Sequence, residues 1–208
     1  MSWFLLIQVA YFTAFAAIHS LLASRQFKVF IWHFFGQEMD RWYMKFFVLT
    51  AAITIIPLVL MMILFPGKKL YVVRSPWRWL MFFGQILAGL GIMLGFRDAY
   101  PRFSIGQQLS KAEEVEPLRN RGIYCFVRDP FLLSGVISIW LTPFMTTRLF
   151  VIYILTSVYL YLGSLHWESR MMAQFGKEYE DYRKKMPRMI PWKKNSCSEI
   201  NKQIKVQV

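Results

Sequence analysis

Five stretches of this chain are long, apolar and free of charge, and they constrain the fold more than anything else in the sequence. They are Trp3–Ala23, Phe46–Phe65, Trp79–Phe96, Pro130–Thr147 and Leu149–Trp167, the last two separated only by Arg148. A helix needs about 20 apolar residues to cross the hydrocarbon core of a bilayer, with roughly 17–25 tolerated. The apolar runs are continuous where a barrel strand would alternate, so the expected fold is all-α: a polytopic membrane helical bundle of about five transmembrane helices, ending in a C-terminal helical hairpin. The hairpin tip is expected near Pro143–Arg148. Gly84, Gly89, Gly91 and Gly95 fall in the third window, where small residues let a neighbouring helix approach closely.

Composition agrees. Of 208 residues, 56% are hydrophobic and 18% aromatic, above the norm for soluble domains. The formal net charge of +13 would also suit a soluble nucleic-acid binder, but such a protein would not carry five uncharged windows of 18 or more residues, and nucleic acid is set aside as a partner. Cys125 and Cys197 form neither a disulfide framework nor a metal cluster, and His19, His33 and His166 are scattered, so no metal is expected. The start, Met1-Ser2-Trp3, lacks a basic n-region and reads as a retained span.

The basic residues orient the spans. If the connections after the first and third spans and the tail after the fifth face the cytoplasm, 20 of the 25 Lys and Arg lie inside. The C-terminus is then cytoplasmic, in a bacterial inner membrane. Lys68, Lys69, Arg74, Arg78 and Arg148 fall on the other side, which suggests that the 66–78 loop lies at the interface. The chain divides into N-terminal transmembrane helices at 1–96, a core of loop, hairpin and polar segment at 97–192, and a mobile tail at 193–208.

Chemistry concentrates where the polar segments meet the hairpin. Arg128 and Asp129 precede Pro130, and a proline at the first helical position is preorganised for a helix start. The free amides of such a start attract anions, and Arg128 beside them suits a carboxylate. The alternative is an interfacial Arg anchoring the helix end and pairing with Asp129. A hairpin returns the chain to the side it left, so Glu168 is expected near Arg128. Its carboxylate suits an ammonium, a sulfonium or ribose hydroxyls, or simply marks a helix end at headgroup level. Tyr179 and Tyr182, three residues apart, share a helix face, to stack on an adenine or to pack against the bilayer. Arg183-Lys184-Lys185 suits anionic membrane lipids.

These residues carry a pattern. Gly122, Tyr124, Arg128 and Pro130, then Glu168, then Gly176, Tyr179, Tyr182, Pro187 and Pro191 match, in order and spacing, the blocks of the isoprenylcysteine carboxyl methyltransferase superfamily of integral membrane methyltransferases. The tip Trp140-Leu141-Thr142-Pro143-Phe144-Met145-Thr146 and the early His19-Ser20-Leu21-Leu22-Ala23-Ser24 are similar to the bacterial methanethiol S-methyltransferase-like and NnrU-like branch. The resemblance covers the second half firmly and the first half loosely. It implies an S-adenosylmethionine-dependent methyltransferase with a cytoplasmic cofactor pocket, acting on a small or lipophilic thiol. Gly122, Tyr124, Arg128, Asp129, Pro130, Glu168, Tyr179, Tyr182 and Arg183 are then the cofactor-site residues, with Arg128 and Asp129 nearest the chemistry. The sequence departs from the family at four places. Asp129 stands for its histidine, Leu132 for a tyrosine, Ser134 for a glycine and Trp167 for the first Glu of a pair. Two alternatives stay open: carboxyl methylation of a prenylated cysteine or other lipid methylation, and a non-catalytic membrane binding protein that retains the fold.

Overall fold

A computed structural model describes residues 3–36, 38–99, 118 and 122–190. The expectations for Arg102, Lys111, Arg119, Arg121, Pro191 and the tail at 193–208 lie outside the described residues. The chain is an all-α membrane protein. Helices α1 (Trp3–Ala23), α2 (Arg25–Phe35) and α3 (Glu38–Leu64) come first, then strand β1 (Lys69–Val72) and α4 (Trp77–Ala99). A 3-10 turn at Gly122–Cys125 precedes α5 (Pro130–Trp140), strand β2 (Phe144–Thr146), α6 (Thr147–Phe175) and α7 (Lys177–Lys185). Among the described residues, four segments are long and apolar enough to cross a membrane: Trp3–Ala23, Trp42–Leu64, Trp77–Ala99 and Thr147–Phe175.

The expected fourth span, Pro130–Thr147, is divided. Its helix α5 has 11 residues, a rise of about 16 Å, roughly half the hydrocarbon thickness. Pro143 is the physical reason. It disfavours helical backbone at Thr142 and cannot donate to the next turn, so the helix closes at Leu141 and the chain continues as β2. The two strands are a further departure: β2 pairs antiparallel with β1, with Lys69 opposite Thr146 and Val72 opposite Phe144.

The described residues fall into two compact units, one drawn from 3–36, 38–73 and 144–156, the other from 74–99, 118, 122–143 and 157–190. In the first, α1 and α3 are tied by the Tyr11 hydroxyl donating to the Thr54 carbonyl at 2.9 Å and by Tyr43 donating to the Leu22 carbonyl. Helix α2 is amphipathic and was not anticipated within the basic connection. Ser24 caps it by accepting from the Phe27 amide at 3.2 Å.

In the second unit, α4 and α5 run antiparallel in close contact, and small residues make the approach possible. A side chain at Gly84 would meet Leu141, one at Gly91 would meet Ser134, and one at Gly95 would meet Phe131 and Pro130. Gln85 adds a bond to the Ser138 carbonyl at 3.0 Å. The expected hairpin also forms here. Gly135 faces Leu160, and the Trp140 indole donates to Ser157 Oγ at 2.9 Å, which sets α5 antiparallel to the later turns of α6.

Candidate functional site

The second unit assembles the site from three pieces of chain: the segment Gly122–Pro130, the end of α6, and α7 with the residues after it. Gly122 turns the first piece. Its φ is +59°, and a Cβ there would run into the Asp98 carboxylate, so only glycine fits. Asp98 in turn accepts from the Ile123 amide at 3.2 Å and pairs with Arg97 at 3.0 Å. Tyr124 is buried, with its hydroxyl directed at the Gly95 carbonyl (3.4 Å). Its own carbonyl accepts the Tyr182 hydroxyl at 2.7 Å. Both phenols are therefore spent on main-chain groups that fix the turn between α4 and α7.

After Val127 the backbone makes a short ladder to the segment beyond α7. The Arg128 amide donates to the Pro187 carbonyl at 2.9 Å and the Asp129 amide to the Arg188 carbonyl at 3.1 Å. Asp129 then caps α5, its Oδ1 accepting from the Leu132 amide at 2.8 Å, with buried Pro130 at the first helical position. One carboxylate oxygen of Asp129 is thus committed to the helix end.

The expected approach of Arg128 and Glu168 is present. Arg128 Nη1 lies 2.5 Å from Glu168 Oε1. Arg183 Nε is 3.2 Å from the same oxygen, and Arg188 Nη2 pairs with Oε2. Glu168 is only 8% exposed, and the Arg128 side chain 12%. Three guanidinium groups on the Glu168 carboxylate, with the Asp129 carboxylate beside them, leave the cluster a net positive charge. Among the described residues, the buried Nε–H of Arg128 meets no acceptor. A charged donor buried and unmatched is costly, and it fits a site built to take an anion.

Arg188 is the residue that sequence reasoning missed. It is one base among several in the polar stretch after α7, and only the ladder to Arg128 and Asp129 carries it inward. Tyr179 and Tyr182, expected as a stacking platform or bilayer contact, are buried with Leu118, Met171 and Met186, their rings 5.8 Å apart. Burial pushes the Tyr179 hydroxyl above its ordinary value of 10, and the Glu168 carboxylate adds to that, while Arg128 opposes it. Cys125 is buried at the turn. Among the described residues, no three His, Cys, Asp or Glu side chains group as metal ligands.

With this geometry in view, the relatives are informative. The methanethiol S-methyltransferase of Crocosphaera subtropica is 27% identical over 201 residues, covering 90% of this chain and 75% of that protein. Methanethiol S-methyltransferase 1 of Bradyrhizobium diazoefficiens is 23% identical over 191 residues, covering 87% of this chain and 65% of its own length. The methanethiol S-methyltransferase of Mycobacterium tuberculosis is 26% identical over 186 residues, covering 86% and 74%. No protein-family model and no solved structure matches the chain. Over about nine-tenths of its length, the chain is similar to the methanethiol S-methyltransferases, the branch to which its motifs point.

Proposed function

We propose that the chain is an S-adenosylmethionine-dependent methyltransferase that methylates a small thiol, with methanethiol as the first substrate to test. The observation that carries this is the arginine cluster on Glu168, with its surplus charge and its orphaned Arg128 donor, in a chain similar to enzymes of that name. The donor set fits the cofactor's carboxylate, for which Arg128 and Arg188 are the binding residues. Arg183, more exposed, stands where a ligand enters. Glu168 holds the three guanidinium groups together and offers its carboxylate to a cationic or hydroxyl group.

S-adenosylmethionine supplies an electrophilic methyl group on a sulfonium. The part left to the chain is to bind, align and exclude water, which is most of what such a displacement requires. Positive charge beside a thiol also favours the thiolate, the nucleophilic form. No side chain is assigned as a general base. The distribution of basic residues supports an orientation with this cluster and the C-terminus on the cytoplasmic side, in a bacterial inner membrane.

A second function, a non-catalytic membrane protein retaining the fold, is favoured by one observation. Asp129, at the family's histidine position, is engaged in capping α5. Calorimetric titration of the purified chain in detergent with S-adenosylhomocysteine is the test. Saturable binding, weakened at least tenfold in Arg128→Ala, supports the cofactor site. No binding at millimolar ligand removes it. Binding without methyl transfer to any of a panel of thiols supports the second function.

A further inference from the structure

In the first unit, Gln8 is a polar side chain enclosed in an apolar span. It is 1% exposed, and neither its Oε1 nor its Nε2 has a hydrogen-bond partner among the described residues. Hydrocarbon offers nothing to satisfy a primary amide, so an unpaired one in a spanning helix is strongly unfavourable. Gln8 lines a cavity of about 120 Å³ together with Phe4, Ile7, Met61, Phe65 and Arg148. That is several times the roughly 10–15 Å³ that one water requires. The walls are rings and aliphatic chains, which suit an apolar guest. The amide has a donor and an acceptor to satisfy.

The cavity lies where spans end, and cations gather there. Phe4 and Gln8 are in the first two turns of α1, Met61 and Phe65 lie at the close of α3, and Arg148 opens α6. Arg148 Nη1 donates to the Phe65 carbonyl at 2.6 Å, and its guanidinium sits 5.3 Å from the centre of the Phe4 ring. The β1–β2 pairing brings more charge to the same end. The Thr147 amide donates to the Lys68 carbonyl at 2.9 Å, and Lys69 is opposite Thr146. Lys68, Lys69 and Arg148, three of the five bases that the charge distribution leaves on this side, are thereby drawn to one place. Basic residues at a membrane surface attract anionic head groups. Gln8 lies four residues beyond Phe4, about 6 Å further along the helix axis, a depth suited to the ester and hydroxyl groups just inside a head group.

We propose that this cavity binds an amphiphile with an acyl chain and an anionic oxygen head, the head on Arg148, Lys68 and Lys69, a carbonyl or hydroxyl on Gln8, and the first part of the chain against Phe4, Ile7, Met61 and Phe65. The site shares no residue with the arginine cluster on Glu168, and it stands or falls separately from the methyltransferase proposal.

The test uses the full chain in detergent, titrated with dihexanoyl phosphatidylglycerol, dihexanoyl phosphatidylcholine and decanoate. Bound adducts are read by native mass spectrometry and melting temperature by calorimetry. Saturable binding of phosphatidylglycerol, at least tenfold weaker for phosphatidylcholine and at least tenfold weaker in Gln8→Leu and in Arg148→Gln, supports the site. Gln8→Leu removes the unpaired amide while filling its space, and its melting temperature reports directly that it folds. Decanoate binding as well as phosphatidylglycerol, with the same loss in Gln8→Leu, supports the site with a free fatty acid as its source. Equal binding of phosphatidylglycerol and phosphatidylcholine, or undiminished binding in Gln8→Leu, overturns the proposal.

Discussion

Replacing Glu168 by alanine gives the most instructive perturbation of the arginine cluster. In the folded chain one carboxylate serves Arg128, Arg183 and Arg188. Its removal leaves three converging guanidinium groups without an anion, and Arg128, with 12% of its side chain exposed, cannot turn to water. Removing one partner of a buried ion pair costs about 3–5 kcal/mol, because a buried charge is left uncompensated. For a chain of this size, about 2–4 °C per kcal/mol places the loss at roughly 6–20 °C in melting temperature. Arg183→Ala is the internal control. Its side chain is 53% exposed and Glu168 keeps two other partners, so the cost is about 0–1 kcal/mol, the range of exposed pairs. Scanning calorimetry of both variants in the same detergent measures the contrast, and added sulfate should restore part of the Glu168→Ala loss. A Glu168→Ala loss below about 1 kcal/mol, or one matched by Arg183→Ala, would refute the claim that Glu168 is the buried keystone of the cluster.

Three further outcomes follow from single contacts. Asp129→Asn preserves a capping side chain and should leave stability within about 0.5 kcal/mol, whereas Asp129→Ala should cost about 1 kcal/mol; equal losses of S-adenosylhomocysteine binding in both would instead assign Asp129 a role through its charge. Gly122→Ala forces a Cβ onto the Asp98 carboxylate at a left-handed backbone position, and should lower stability by about 1–3 kcal/mol in calorimetry. Tyr179 holds its proton more tightly folded than unfolded, so its contribution is intact below pH 10 and is lost as pH rises through and above that value. Tyr179→Phe should flatten the alkaline limb of a stability-against-pH curve, and an unchanged limb would contradict the assignment.

Much of the fold is legible in the apolar windows because hydrophobic length is a direct physical requirement of spanning. Trp3–Ala23 forms as read, and the window at Trp79–Phe96 grows only at its ends. The window from Pro130 misleads because hydropathy does not register chain geometry. Leu141-Thr142-Pro143 is apolar enough to sit within a span, but Pro143 stops the helix and hands the chain to β2. The amphipathic α2 was hidden by its bases, since Arg25 and Lys28 read as part of a polar connection. At the site, the pairing of Arg128 with Glu168 follows from hairpin topology alone. The third arginine does not, because Arg188 reaches Glu168 through backbone hydrogen bonds at Pro187 and Arg188 that no side-chain pattern encodes. Tyr179 and Tyr182 show the same limit: their spacing puts them on one face, but packing with Met171 and Met186 decides that the face is buried.

The central claim is that the chain transfers a methyl group to a small thiol by way of the arginine cluster. The most direct measurement incubates the purified protein with methanethiol and S-adenosylmethionine and follows dimethyl sulfide by headspace gas chromatography alongside S-adenosylhomocysteine. The account predicts the two products in equal amounts and their loss in Arg128→Ala. No dimethyl sulfide above the protein-free control, with the folded chain and millimolar cofactor present, would contradict it.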